Sequence, residues 1–350
     1  MKFFAHDTLR PFAGALLQAA GCCETKARVV SDHLVQANLI GHDSHGMLRV
    51  PIYLDWMANG KVCPNREALT IIDEGPILSF DGQFGFGHAI AREAMARAEQ
   101  TGVVLVALRN CGHLGRIGAF AQQLAEAGLV SLHFVNSSGG GIMVAPHGGA
   151  ERRLSANPIA AGAPGPEGEP FVLDMSTASI AEGSIMLAID RGEALAPGLI
   201  VDGAGQATTD PSAFYGPPRG TILPFGAHKG SGLSFFCEIL AGALTGGRSG
   251  HPDNPTASRF VNNMLSLVIK PSALGADSDF AEEVAQLAAW VKSARPTTAQ
   301  GGVLLPGENG SRVRVERSRT GIPISDIMLG KLHSVATQYN VAPPPVMREA

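Results

Sequence analysis

Residues 103–120 read VVLVALRNCGHLGRIGAF. The apolar run from Val103 to Leu108 has the length of a short buried strand. The glycines at 112, 115 and 118 then break the chain into turns before a new apolar pattern begins. Strand, turn and helix recur on both sides. Upstream, the spacing predicts a helix over 86–100. Downstream it predicts helix 115–127, strand 129–135, strand 171–175, helix 178–191, strand 198–202, helix 230–245, strand 264–270, helix 278–294 and strand 302–305. Strands alternating with helices imply a layered α/β core. The middle is rich in Gly and Pro, with GGG at 139–141 and APGPEGEP at 163–170, and no internal repeat stands out.

Farther out the pattern changes. Residues 8–20, 24–40 and 46–58 read as helices, the second ending at Gly41 and the third at Asn59-Gly60. A last helix over 326–339 starts at Ser325-Asp326, a favourable N-cap. None of these terminal segments carries a predicted strand. They are expected to form one helical domain, 1–75 plus 310–350, with an α/β domain, 76–309, inserted between them. The Pro-punctuated stretch 62–80 is read as an irregular passage from one to the other.

Composition bounds the function. The 350 residues are 45% hydrophobic and 17% charged, which allows a large core and argues against disorder. The net charge is −4, and no Lys/Arg cluster marks a nucleic-acid surface. No run of about 18 apolar residues marks a membrane span. Asp7 and Arg10 interrupt the apolar N-terminus, which reads as an amphipathic helix rather than a secretion signal. The cysteines (Cys22, Cys23, Cys63, Cys111 and Cys237) are odd in number and lack a CxxC pair, so reduced thiols in a cytoplasm are expected. Cys111, near His113, reads as a small packed residue or a reactive thiol.

Two stretches concentrate polar chemistry. GHDSHGMLRVPIY at 41–53 holds Ser44, His45, Arg49 and Tyr53. A helix starting near Ser44 would put His45, Arg49 and Tyr53 on one face. Arg can grip a carboxylate through two parallel hydrogen bonds, and His moves a proton near neutral pH. Such a set suits a small carboxylate bearing a carbonyl or hydroxyl group. Plainer uses exist: His45 can cap a helix, Arg49 can pair on the surface, and Pro51 can restart the helix. In the second stretch His113 follows a strand, where α/β proteins build sites, although a lone histidine there can equally be structural.

Phosphate and hydroxyl chemistry is spread along the chain. Lys229 and two glycines stand at the start of the helix in PFGAHKGSGLSFFCEILAG, 224–242, where free N–H groups and the dipole suit phosphate. A solvated lysine in a Gly-rich turn is the plain alternative. Asp174 closes a strand in LDMSTAS and can accept from ribose hydroxyls or merely cap. Pro306-Gly307-Glu308 is read as closing another strand, with Glu308 a second acceptor. A dinucleotide fingerprint is missing. Gly203-Ala204-Gly205 lacks the third glycine and is followed by Asp210-Pro211 instead of a helix, and GQFGFG at 82–87 has the wrong spacing.

SHGMLR (44–49), GHLGRIG (112–118), VAPHGG (144–149), NPIA (157–160), LDMSTAS (173–179), HKGSGL (228–233), EILAG (238–242), LPGE (305–308) and GIPI (321–324) stand in that order along nearly the whole chain. Together they resemble the type-2 malate/L-lactate dehydrogenase family, with its ureidoglycolate, 2,3-diketogulonate, sulfolactate and cyclic-imine relatives. VAPHGG departs from the pattern, with His147 where a Phe is expected. The resemblance implies a mixed, largely antiparallel sheet rather than a Rossmann sheet. It implies an NAD- or NADP-dependent oxidoreductase of small 2-hydroxy or 2-oxo acids, forming a homodimer. In that reading Arg49 anchors the carboxylate, and His45 moves the proton with His113 as second contact or as the base itself. Ser44 and Tyr53 orient the substrate. The segment Asp174–Ile180, including Met175 and Ser176, would touch the cofactor, with His228, Lys229, Pro306, Gly307 and Glu308. A cyclic-imine carboxylate reductase would use nearly the same site. A metal-dependent hydrolase or lyase on His42, Asp43 and His45 is a rival of another class. A non-catalytic binding protein is a third reading, which the density of polar motifs argues against.

Overall fold

The computed structural model of the chain describes residues 1–256, 258–276, 279–297 and 302–349. In chain order the elements are β1 (Lys2–Phe4), α1 (His6–Ala19), α2 (Glu24–Leu39), α3 (Val50–Ala58), β2 (Leu69–Glu74), β3 (Ile77–Asp81), α4 (Gly87–Ala98) and β4 (Val103–Cys111). There follow α5 (Gly118–Glu126), β5 (Val130–Ser137), β6 (Ile159–Ala163), β7 (Phe171–Met175), α6 (Glu182–Arg191), β8 (Ile200–Val201), β9 (Ala207–Thr208), β10 (Thr221–Ile222) and α7 (His228–Cys237). The chain closes with β11 (Asn262–Ile269), α8 (Phe280–Lys292), α9 (Glu308–Thr320), β12 (Ile322–Ile324), α10 (Asp326–Gln338) and β13 (Arg348–Glu349).

The main sheet has seven strands in the order β2-β3-β4-β11-β5-β6-β7. Only β3 and β4 pair parallel; the other neighbours are antiparallel. The expected mixed, largely antiparallel α/β sheet is therefore what the chain forms. In β4 the alternation of burial follows the pleat: Val104, Val106 and Leu108 face inward under α4 and α5. A π-turn after α7, Glu238–Ala243, packs on β4, β5 and β11. Asn136, whose side chain donates to Glu238 of that turn, sits on the opposite pleat face from Val135.

Several sequence expectations need correction. The passage 62–80 contains the hairpin β2–β3. Its edge strand LTIIDE is exposed throughout, so it shows no inside–outside alternation to read. β6 was hidden in small residues. IAAGA is small because α5 lies against it, and a Cβ on Gly162 would fall 2.3 Å from the Ala121 carbonyl oxygen. The terminal segments do carry strands, since β1 pairs with both β12 and β13. Pro323 is tolerated there because β12 is an edge strand. Residues 302–305 form no strand, and Glu308 instead opens α9, a polar helix with no buried residue and so no apolar stripe. The strand expected at 198–202 shrinks to β8 in a separate three-stranded sheet. The helix expected at 46–58 is α3 preceded by two 3-10 turns, Asp43–His45 and Met47–Arg49, with Pro51 in its first turn.

Three apolar cores result. One joins α1, α2 and α3 to β12 and α10. The second lies under the main sheet. The third, around Ile185, Phe214 and Ile222, sits beneath β8 and β10. The sheet core should be the most sensitive to truncation. Leu108 is fully buried on a central strand, so Leu108→Ala should cost about 2–5 kcal/mol in urea unfolding. A cost below about 1 kcal/mol would mean the strand is not anchored as described.

Candidate active site

A cavity of about 120 Å³ opens where the first two cores meet the β6–β7 side of the sheet. Its wall includes Ser44, His45, Arg49, His113, Asn157 and Ser176. Ser44 and His45 come from the first 3-10 turn, and Arg49 ends the second. The turn is tied by its own polar groups. Ser44 Oγ lies 3.0 Å from His45 Nδ1, and Arg49 Nε donates to the Ser44 carbonyl at 2.7 Å. Among the described residues neither terminal nitrogen of Arg49 is hydrogen-bonded, so its guanidinium fork is open to a ligand. His113 stands at the end of β4, its ring stacked 5.5 Å from that of His45.

Tyr53 is not on the cavity wall. It is buried behind His113, with Oη 2.6 Å from His113 Nδ1 and 3.2 Å from His88 Nε2. That corrects the expectation of His45, Arg49 and Tyr53 on one helical face: the 3-10 turns end the period before α3 begins. His33 completes the cluster, in edge contact with His88 at 4.7 Å and accepting the Arg116 backbone N–H on Nε2. Gly115 makes this packing possible. Its φ is +73°, and a Cβ would fall 2.6 Å from Nε2 of both His33 and His88. Phe260 and Trp56, stacked on each other, close the other side of His113.

Two clamps aim the cavity wall. Arg317 of α9 grips Asp43 through both oxygens at 2.6 and 3.0 Å. Asn38 donates to Asp43 at 2.6 Å and accepts the Met47 N–H at 2.8 Å. On the far wall Asn157 donates to Ser234 and to Oε1 of the buried Glu238, in the π-turn. The Asn157 carboxamide oxygen is buried and has no hydrogen-bond partner among the described residues. His33, His88, Asn157, Glu238, Phe260 and Arg317 were not singled out as site residues from sequence, and only Asn157 and Glu238 lay in quoted motifs.

The expected cofactor residues fall in three places. Ser176 lines the cavity, and just before it the Asp174 carboxylate accepts the Gly118 N–H at 2.9 Å, capping α5. Asp174 also faces Arg116 at 3.5 Å and His42 at 3.9 Å, while Met175 is half-buried beside it. His228 and Lys229 are exposed at the start of α7, with His147 against the His228 ring. Pro306 and Glu308 line a cleft at the other end of β7, beside Phe171, with Gly307 between them. Glu308 pairs with Lys292 and accepts the Leu305 N–H. The metal reading loses its geometry. His42 turns to Asp174, Asp43 to Arg317 and His45 to His113, so the three side chains do not converge. The five cysteines are unpaired, and burial pushes the Cys111 thiol far up, which keeps it protonated and inert.

Burial holds the imidazoles of His33 and His113 well below the ordinary histidine value, and His88 and His133 at about 3. For His45 the same burial, helped by Arg49, gives about 3. A histidine depressed in the folded state stabilises fully above its unfolded value near 6.5 and loses that contribution as pH falls toward the folded value. Stability should therefore be level above about pH 7 and fall between about pH 6.5 and 3, read as the urea midpoint at each pH. A level midpoint down to pH 4 would show that the cluster is not buried in its neutral form.

The malate/L-lactate dehydrogenase family matches residues 4–333. Hydroxycarboxylate dehydrogenase B of Escherichia coli (strain K12) is 40% identical over 327 residues, 92% of this chain and 90% of the relative. The Delta(1)-pyrroline-2-carboxylate/Delta(1)-piperideine-2-carboxylate reductase of Pseudomonas putida is 34% identical over 91% of this chain and 92% of its own length. Among solved structures, the sulfolactate dehydrogenase from Methanocaldococcus jannaschii superposes with a TM-score of 0.86 at 29% identity, covering 97% of this chain and 98% of that one. This chain is an oxidoreductase, and it belongs to the malate/L-lactate dehydrogenase family, whose members are typically nicotinamide-dependent and include dehydrogenases of hydroxy acids and a cyclic-imine carboxylate reductase.

Proposed function

We propose that the chain moves a hydride between a nicotinamide, NAD or NADP, and the α-carbon of a small 2-oxo or 2-hydroxy carboxylate held in the His45–Arg49–His113 cavity. The observation that carries this reading is the convergence of an open guanidinium fork and two stacked neutral imidazoles on one partly apolar cavity. The donor set also fits a nicotinamide. The unpartnered Asn157 carboxamide oxygen is an acceptor of the kind an amide N–H satisfies. When bound, the cofactor supplies the hydride. Asp174, Met175, Ser176, His228, Lys229, Pro306, Gly307 and Glu308 would hold it. β7 supports that assignment, because its two ends adjoin the cavity and the Pro306–Glu308 cleft.

The chain's own residues then have separate tasks. The terminal nitrogens of Arg49 hold the carboxylate. Ser44 orients His45. His113 Nε2 exchanges the proton with the substrate oxygen, and His45 is the second contact. From sequence His45 was set first and His113 kept as second contact or as the base itself, with His45 and Arg49 expected on one helical face. The 3-10 turns remove that argument, and the Tyr53 hydroxyl behind His113 supplies a better-aimed imidazole. A cyclic imine carboxylate is a second reading, favoured by the Pseudomonas putida relative.

Two further assignments belong to the proposal. A homodimer would cover Phe235, Phe236, Ile239 and Leu244, which lie exposed along α7, the π-turn and the residue after it. The unpaired thiols support a reducing, cytoplasmic setting. The division into a helical part, 1–75 plus 310–350, and an inserted part, 76–309, is supported by the core that joins both chain ends.

The deciding experiment is a panel of 2-oxo acids and cyclic imines with each reduced nicotinamide. Arg49→Lys should raise KM for every carboxylate and cost on the order of 1.5–3 kcal/mol in kcat/KM, because a point charge cannot replace the fork. Wild-type kcat/KM in that variant would overturn the site. Phe235→Asp should yield monomers by sedimentation; an unchanged dimer would move the interface elsewhere.

A further inference from the structure

His88 is fully buried and takes no part in the chemistry assigned above, yet it is joined to His113 through one hydroxyl. Tyr53 Oη has a single hydrogen and two imidazole neighbours, His113 Nδ1 at 2.6 Å and His88 Nε2 at 3.2 Å. It must donate to one and accept from the other. The short distance suits O–H donation to His113 and the long one N–H donation from His88. In that arrangement His113 carries its hydrogen on Nε2, facing the cavity, and the buried His88 Nδ1, which has no partner among the described residues, is a bare lone pair. Reversing every bond gives the other neutral arrangement, in which His113 Nε2 is the lone pair and His88 Nδ1 carries the hydrogen.

We propose that Tyr53 and His88 form a proton relay that reloads His113 by switching between these two arrangements. The inference rests on His113 as the proton-exchanging group. In reduction, hydride addition leaves an electron pair on the substrate oxygen. The Nε2 hydrogen of His113 goes to that oxygen, the Tyr53 hydrogen moves to His113 Nδ1, the Nε2 hydrogen of His88 moves to Tyr53 Oη, and a solvent proton enters at His88 Nδ1. Oxidation of the hydroxy acid runs the same transfers backwards and releases a proton at His88 Nδ1. No charged imidazole is left in the interior at either end, which matters because burial and the Arg49 charge disfavour protonated His88 and His113. His88 Nδ1 is itself buried, so the proton must arrive from the His33 side. His33, in edge contact with His88, lines a polar surface cleft with Asp32, Arg92 and Glu126.

Nitrogen NMR of the histidine-labelled wild-type enzyme tests the resting arrangement without turnover. Hydrogens on Nε2 of both His88 and His113 are expected; a hydrogen on His113 Nδ1 in the free enzyme overturns the proposal. Single-turnover reduction then tests the relay. The wild-type rate should depend on the deuterium fraction of the solvent along a curve, as when several protons move together. Tyr53→Phe keeps the ring, and His88→Gln keeps a hydrogen-bond donor to Tyr53 but cannot pass a proton. Each should lower the rate at least about tenfold, leave KM within about twofold, and straighten the isotope curve. Added imidazole should restore turnover to His88→Ala. Wild-type rates and a curved isotope plot in both Tyr53→Phe and His88→Gln would leave these residues a packing role only. If His113→Asn itself turns over normally, the assignment of His113 fails instead, and the NMR result stands apart from it.

Discussion

The bond between Tyr53 Oη and His113 Nδ1 joins two separately built halves of the molecule. Tyr53 belongs to the helical core, packed with Phe86 and Trp56. His113 belongs to the turn that leaves the central sheet. Each half could be satisfied without the other only by leaving a buried hydroxyl or a buried imidazole nitrogen unpaired. Such a group costs about 1–3 kcal/mol. The contact therefore does more than aim a side chain, since it rewards one docking of helices on sheet over its neighbours. The cavity is the space left between the two halves once that docking is made.

Polar groups elsewhere obey the same logic. Asp43, Asp174 and Glu238 are acidic residues near the cavity, and each is committed to a partner: Arg317, the α5 N-terminus and two asparagines respectively. Arg49 is the contrast. It is held by Nε alone, so its charge stays available on the cavity side. An open cation among neutral imidazoles makes the cavity a place where a carboxylate gains a partner and offsets the charge that disfavours protonation of His45 and His113.

Much of this was legible in the chain. The strands and helices alternating around Val103–Leu108 pointed to the layered core, because the inward face of that strand, Val104, Val106 and Leu108, is buried and must be apolar. β2, β6 and α9 were not legible, each for a physical reason: an exposed edge carries no alternation, a strand under a close helix is stripped to Gly and Ala, and a solvated helix needs no apolar stripe. Within the site, His45, Arg49 and His113 stood in dense polar motifs and do meet. The location of Tyr53 could not be read, since a helical period carried across Gly46 and Pro51 assigns it to the wrong wall. His88 lay in an ordinary helix start, and nothing local distinguishes a histidine that bonds across the fold from one that caps.

Arg317 stands far along the chain from the Asp43 it clamps, and β1 finds both of its partner strands only in the last part of the sequence. The turn carrying Ser44, His45 and Arg49 is tied locally by Asn38 and by its own polar groups, and its second clamp lies 274 residues downstream of Asp43. The strands of the main sheet, up to β11, all precede that clamp in the chain, so the sheet does not depend on α9 for its own pairing while the turn does for part of its shape. Loss of α9 would therefore loosen the wall of the cavity without removing a strand from the main sheet.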